Sequence, residues 1–314
     1  MFLCISANPA IDKRLRVTKL HVGAVNRAME VEPEPGGKAA HVAMALHALG
    51  AEPEWIGFAG GLSGRELIVG LTELGINPQA IPTQQTTRVN LAIHDDSGTV
   101  TEILEPGGSP SPAELNLFRK ICEESFARGK ADATVILSGS LPPGLPDEFY
   151  AELIRSARGQ GCRIFLDTSG KALRLALEQR PDFVKPNREE AEWLTGIVIQ
   201  DIRSAREAVR QILSLGARSV ALSLGKEGLI WCPGDNQHVF YARPPAIEAR
   251  SAVGSGDCTV AGFAQAITGQ LTPEQTVRRA TACGTANCLV KSPGQIRLSD
   301  VLEIEKSIRV EALP

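Results

Sequence analysis

From about residue 131 onward, short apolar runs alternate with stretches whose apolar residues recur at helical spacing. "DATVILSG" (132–139), "CRIFLD" (162–167), "DFVK" (182–185) and "RSVALSLG" (218–225) read as buried strands. Between them, "PDEFYAELIRSARGQG", "SGKALRLALEQ", "REEAEWLTG" and "IRSAREAVRQILSLG" carry the helical pattern, and residues 256–268, 273–291 and 299–308 add three further helices. Repeated strand–helix units predict a mostly parallel sheet with helices on both faces and right-handed crossovers.

The first hundred residues are less uniform. "GGKAAHVAMALHALG" places Val42, Ala45, Leu46 and Leu49 on one helical face, and "GRELIVGLTELG" predicts a second helix. In "TTRVNLAIHDDSGTVTEIL", by contrast, Val89, Leu91 and Ile93 alternate with polar residues before a D-D-S-G turn, and "DKRLRVTKL" from Asp12 is also strand-like. Half-apolar strands of this kind predict a small sheet standing off the main body, as a lid over a site or an oligomer surface, inserted at about residues 12–33 and 86–105. With no internal repeat, low-complexity tract or linker, one domain over 1–314 is the expected organisation. Pairing of lid strands between two copies would cover their exposed edges, so a homodimer through the lid is expected.

Composition narrows the function classes. The 33 basic and 36 acidic residues are dispersed, net charge -3, without the basic stripe of a nucleic-acid binder. The apolar start "MFLCIS" is too short for a signal sequence and no run would cross a bilayer, so a cytoplasmic location without membrane attachment is expected. Seven cysteines form no C-x-x-C pair and sit at no zinc spacing, which predicts reduced, mostly buried thiols. There is neither a G-x-x-x-x-G-K-[ST] loop nor a G-x-G-x-x-G fingerprint.

The chemistry concentrates in "AVGSGDCTVAG" (252–262), where a glycine-loosened turn feeds a helix. Unpaired N–H groups and the helix dipole make such a turn an anion site. Asp257 there could accept a proton from a substrate hydroxyl while the amides stabilise a transferring phosphoryl group. It could equally be a helix cap. The local pattern leaves both open.

Several separated stretches, in order along nearly the whole chain, resemble the ribokinase-like, PfkB-type carbohydrate kinases. They are "NPAID" (8–12), "PGGK" (35–38), "GFAGGLSG" (57–64), "TRVN" (87–90), "LSGSLPPG" (137–144), "LDTSG" (166–170), "KPNREE" (185–190), "SLGKEG" (223–228) and "VGSGD" (253–257). "NPAID", "LSGSLPPG" and "LDTSG" are most similar to the phosphosugar branch, which includes 1-phosphofructokinase, tagatose-6-phosphate kinase and a 6-phosphofructokinase. The resemblance implies a three-layer α/β/α sandwich with a β lid, and ATP-dependent phosphorylation of a sugar hydroxyl.

By that resemblance, Asp257 is the general base, and Gly254, Ser255 and Gly256 supply the anion hole. Asn187 and Glu190 match an N-x-x-E motif associated with Mg²⁺, ordered through water. Lys185 approaches the nucleotide phosphates, which Ser223 and Gly225 also help to seat. On the sugar side, Asp12 holds hydroxyls and Gly36 and Gly37 give the backbone close approach. Lys38 and Arg88 hold a phosphate already on the substrate, and Ser140 donates to the sugar or its phosphate. Glu102 stands where the 6-phosphofructokinase branch carries arginine, which favours fructose 1-phosphate, with tagatose 6-phosphate next.

The segment "GGKAAHVA" departs from the family's "GGKGxNVA": Ala39 replaces a glycine, and His41 replaces an asparagine that contacts the sugar. Ser255 replaces the usual alanine. The altered segment keeps two other readings in view, a kinase of a non-phosphorylated sugar or nucleoside and a non-catalytic sugar-phosphate or nucleotide-binding regulator.

Overall fold

The computed structural model describes residues 1–234 and 238–313. The chain begins with β1 (Phe2–Ser6), β2 (Ala10–Val17), β3 (Glu30–Gly36), α1 (Lys38–Ala48), β4 (Pro53–Ala59), α2 (Gly61–Glu73) and β5 (Asn77–Pro82). It continues through β6 (Arg88–Asp95), β7 (Val100–Leu104), α3 (Pro112–Gly129), β8 (Thr134–Ser138), α4 (Phe149–Gly159), β9 (Arg163–Asp167) and α5 (Gly170–Leu177). Next come β10 (Phe183–Val184), α6 (Arg188–Thr195), α7 (Ile202–Ser214), β11 (Val220–Ser223), β12 (Leu229–Cys232) and β13 (Val239–Arg243). The last elements are α8 (Ser255–Thr268), α9 (Pro273–Asn287), α10 (Leu298–Ser307) and β14 (Arg309–Leu313).

Ten strands form one sheet in the order β14-β13-β12-β11-β10-β9-β8-β1-β4-β5. Every pairing from β11 to β5 is parallel, whereas β12, β13 and β14 add an antiparallel edge. The strands of the parallel part are apolar on both faces because each face meets helices. In β8, Val135 and Leu137 enter the core shared with α3–α7, while Ile136 enters the core shared with α1, α2, α8, α9 and α10. β9 repeats this, with Ile164 and Leu166 on the first side and Phe165 on the second.

A four-stranded sheet, β3-β2-β6-β7, stands beside this body. β2 and β6 run parallel and the outer pairings are antiparallel. The D-D-S-G turn joins β6 to β7 as expected: Asp95 Oδ1 accepts from the Ser97 and Thr99 amides at 3.0 Å each, and Gly98 takes a φ of 84°. β2 leaves the end of β1 after three residues, so the small sheet is tied to the centre of the large one.

Three local features differ from the sequence expectation. "DFVK" yields only a two-residue strand, because β10 meets β9 and β11 over Phe183–Val184 and then turns at Pro186. α9 ends at Asn287 rather than at residue 291. The antiparallel edge of β12–β14 carried no helical crossover to announce it. All seven cysteines are free, six buried and Cys288 partly so. Among the described residues, no helix is long and apolar enough to cross a membrane.

Candidate active site

The carboxyl ends of β1, β8, β9, β10 and β11 open on one side of the large sheet, under the small sheet. Ligands bind at such strand ends in open α/β folds. There the turn before α8 is built on Gly254, whose φ of 80° and ψ of -6° suit glycine. A Cβ at that position would also stand 2.7 Å from Pro293 Cβ. The Ser255 N–H donates back to Ala252 O at 3.1 Å, and the helix proper begins with Cys258 N–H to Gly254 O at 3.0 Å. The Gly254, Gly256 and Asp257 amides therefore have no backbone acceptor, whereas the Ser255 amide of the expected Gly254–Gly256 set is occupied. Asn287, at the end of α9, locks the turn: its Nδ2 donates to Val253 O at 2.7 Å, and its Oδ1 accepts from Gly294 N–H at 2.9 Å.

Asp257 is buried at 5% exposure in the first turn of α8, and its Oδ2 lies 2.8 Å from His41 Nδ1. On the other side of the ring, His41 Nε2 lies 3.1 Å from Asp12 Oδ2. Asp12 Oδ1 also accepts from Asn90 Nδ2 at 2.8 Å. The two glycines before α1 serve this cluster. A Cβ on Gly36 would fall 2.2 Å from Asp12 Cγ, and the Gly37 N–H lies 3.4 Å from Asp12 Oδ2. Burial works against the charge on His41, yet the hydrogen bonds and charges of Asp12 and Asp257 raise its pKa to about 10. Burial likewise opposes ionisation of Asp12, and His41, Asn90 and Gly37 outweigh it, holding that carboxyl below its ordinary value.

A second charged cluster adjoins the first. Asp167, 1% exposed at the end of β9, has Lys38 Nζ at 3.3 Å and Lys185 Nζ at 3.6 Å from its Oδ1. Burial would raise the Asp167 pKa, but the two ammonium groups hold it below the ordinary carboxylate value. Lys38 is pushed above its ordinary range, because Asp167, Asp257 and Glu190 overcome the cost of burying it. Lys185 Nζ stands 3.1 Å from where a Gly256 Cβ would be, so it borders the free amides of α8. Lys38 thus faces the acidic centre as well as the sugar side.

Asn187 and Glu190 close a capping box on α6. Asn187 Oδ1 accepts from the Glu190 N–H at 2.8 Å, and Glu190 Oε2 accepts from the Asn187 N–H at 2.9 Å. Ser223 comes to this corner through a bridge to Asn187, and Gly225, with φ 60°, begins the turn after β11. Glu190 Oε1 remains for a ligand. Among the described residues no three His, Cys, Asp or Glu groups gather as a metal site. One carboxylate oxygen beside an exposed amide fits Mg²⁺ held through phosphate oxygens and water, not a cage of protein ligands.

Arg88 spans the sugar side, donating from Nη2 to Asn8 O at 3.0 Å and from Nη1 to Glu105 O at 2.9 Å. Asn8 Nδ2 in turn donates to Ser140 Oγ at 3.2 Å. Glu102, on β7, lies far enough into the cluster that partial burial and the Asp12 charge raise its pKa, with His41 opposing. Buried polar atoms without a protein hydrogen-bond partner lie around these residues, including His41 Nε2, Arg88 Nε, Asn90 Oδ1, Ser138 Oγ and Asp167 Oδ2. Such groups are ordinarily satisfied, so their concentration marks a place for a polar ligand.

The structure therefore brings together residues from widely separated places in the chain. Three that sequence reasoning passed over are structurally central. Asp167 lies within "LDTSG", where nothing local marks it as the anion between two lysines. Asn90 lay within "TRVN". Asn287 had no local signal, since an Asn near a helix end reads as surface.

The chain matches the sequence model described as "pfkB family carbohydrate kinase" over residues 4–299. Among solved structures it is similar to phosphofructokinase-2 from Escherichia coli in complex with fructose-6-phosphate, at 28% identity and TM-score 0.89, covering 98% of each chain. The tetrameric inhibited form of that protein matches equally well. A "possible 1-phosphofructokinase" from Thermotoga maritima shares the fold at 23% identity and TM-score 0.89, covering 100% of this chain and 99% of that one.

Proposed function

The chain belongs to the pfkB family of carbohydrate kinases, and from that premise we propose that it moves the γ-phosphoryl group of ATP to a hydroxyl of a phosphorylated ketohexose, with fructose 1-phosphate the first candidate. The observation that carries the chemistry is the turn before α8. There the free Gly256 and Asp257 amides and a buried Asp257 carboxylate share one corner, with Lys185 alongside.

In this reading Asp257 takes the acceptor proton through Oδ1, the oxygen that His41 does not hold. The sugar oxygen forms its bond to the γ-phosphorus as the bond to the bridging oxygen of ADP breaks. The amides and Lys185 face the negative charge spread over the equatorial oxygens. Mg²⁺ would add charge neutralisation at the phosphates, with Glu190 and Asn187 ordering its waters. Ser223 and Gly225 border the nucleotide corner. Asp12 has most of its acceptor capacity occupied by His41, Asn90 and Gly37, which leaves room for one sugar hydroxyl rather than two. Lys38, Arg88 and Ser140 would hold the phosphate the sugar already carries.

Glu102 stands where the 6-phosphofructokinase branch carries arginine, and that difference supports fructose 1-phosphate over fructose 6-phosphate. Phosphoryl transfer from ATP measured against fructose 1-phosphate, fructose 6-phosphate, tagatose 6-phosphate and unphosphorylated fructose tests this. The highest kcat/KM is expected with fructose 1-phosphate. An equal value with unphosphorylated fructose would overturn the phosphate-holding assignment.

The small sheet also supports a dimer. Register places Asp12, Arg14, Asn90 and Glu102 on the face toward the site, and Leu15, Leu91, Ile93, Ile103 and Val31 on the opposite face. Ile103 and Val31 are 53% and 55% exposed there. A second copy would cover this apolar face. Sedimentation should show a wild-type dimer and a monomer for Ile103→Lys; a wild-type monomer would remove the proposal.

A further inference from the structure

We propose that His41 is a positioning residue that straps Asp257 to Asp12, setting the base and the sugar-holding carboxylate as one unit with a single Asp257 oxygen left for the acceptor hydroxyl. This rests on the reading of Asp257 as the base. His41 is 4% exposed, and each ring nitrogen faces a carboxylate oxygen, Nδ1 at 2.8 Å from Asp257 and Nε2 at 3.1 Å from Asp12. A ring whose two nitrogens both face carboxylates serves both only as a double donor, the imidazolium form. Nδ1 is hydrogen-bonded to Asp257, while Nε2 meets Asp12 as an ion pair at 3.1 Å that lies off the hydrogen-bond direction. Its backbone is fixed as well, since a Cβ on Gly294 would lie 2.8 Å from His41 Cα.

The strap explains how an aspartate at the start of one helix is held to a strand of the small sheet. Asp12 lies on β2, His41 on α1 and Asp257 on α8, so motion of the small sheet and aim of the base are linked through one ring. Two carboxylates around one cation keep a net negative charge, and Asp257 remains able to attract the hydroxyl proton. The other charged groups facing this cluster are Glu34 on β3 and Glu102 on β7, both of which act on His41, and Lys38 on α1, which acts on Asp257. Burial raises the pKa of both glutamates.

The protonated ring has a definite pH signature. With its folded pKa raised to about 10, the His41 contribution to stability is complete below the ordinary histidine value near 6.5 and is lost as pH rises through about 10. The test uses the full wild-type chain and two variants, His41→Gln and His41→Asn. In wild-type protein labelled with ¹⁵N-histidine, one of the five histidines is expected to hold protons on both ring nitrogens at pH 8. Five neutral histidines at that pH overturn the proposal, whether or not the variants fold.

In kinetics with ATP and the best sugar phosphate, both variants should lose at least about tenfold in kcat, with KM for ATP within about twofold. A kcat within about twofold of wild type, or a kcat loss that comes with a KM for ATP raised beyond about twofold and merely follows a lower Tm, overturns the strap. Full turnover in Asp257→Asn is a different failure, since it removes the base itself.

Discussion

Asp257→Asn is expected to lower kcat by about two to four orders of magnitude while leaving KM for ATP within about twofold. The amide has nearly the shape of the carboxylate and can keep its place in the first turn of α8, yet it cannot accept the acceptor proton. The Gly256 and position-257 amides, which have no backbone acceptor and which we propose face the phosphates, are unchanged by the substitution. Steady-state kinetics on protein whose folding is verified by circular dichroism decides the matter. A kcat within about tenfold of wild type would mean that another group, or water, takes the proton. The buried neighbour makes a folding control necessary, because the substitution also removes one of the two carboxylates around His41.

Asp167→Leu should cost about 3–5 kcal/mol of stability. Asp167 is the anion between Lys38 and Lys185, at 3.3 and 3.6 Å, and Lys185 is itself only 5% exposed. Removing the carboxylate leaves the buried Lys185 ammonium without its anion and beside Lys38, whose side chain is 39% exposed; the buried charge, far more costly unpaired than in water, carries most of the loss. Urea denaturation should show a lower midpoint with an unchanged slope. The difference has a pH signature. The Asp167 pKa is depressed below its ordinary 3.8, so its stabilisation is present above that value and is lost as pH falls further. Wild type and variant should therefore converge in acid. A change below about 1 kcal/mol at pH 7 would show that the lysines find other partners, and the pair would then contribute no more than a surface salt bridge.

Both substitutions concern residues whose importance is tertiary, and they differ in how visible they were beforehand. Asp257 was marked locally by its glycines and by the helix that follows, although that signal could not separate a base from a cap. Asp167 ended a strand that the apolar pattern identified, but nothing in "LDTSG" announced two lysines, one drawn from residue 38 and one from residue 185. The same holds for the N-x-x-E pair. As a sequence motif it suggested metal; in the structure Asn187 and Glu190 satisfy each other as a capping box, which leaves one Glu190 oxygen and an amide for any ligand.

The strand–helix alternation fixed the class of fold because buried parallel strands must be apolar on both faces, and that requirement is written residue by residue. The alternating pattern of residues 89–93 likewise determined that a second, half-exposed sheet exists, and the glycine turn at 254–256 marked a helix start without separating an anion site from a cap. What the sequence could not determine is which charges meet. His41 reads from the sequence as an altered sugar contact, and packing of α1 against α8 and β1 also places it between two carboxylates from residues 12 and 257. Electrostatic partnership depends on distances of a few ångströms, set by the meeting of whole elements. No local pattern encodes it.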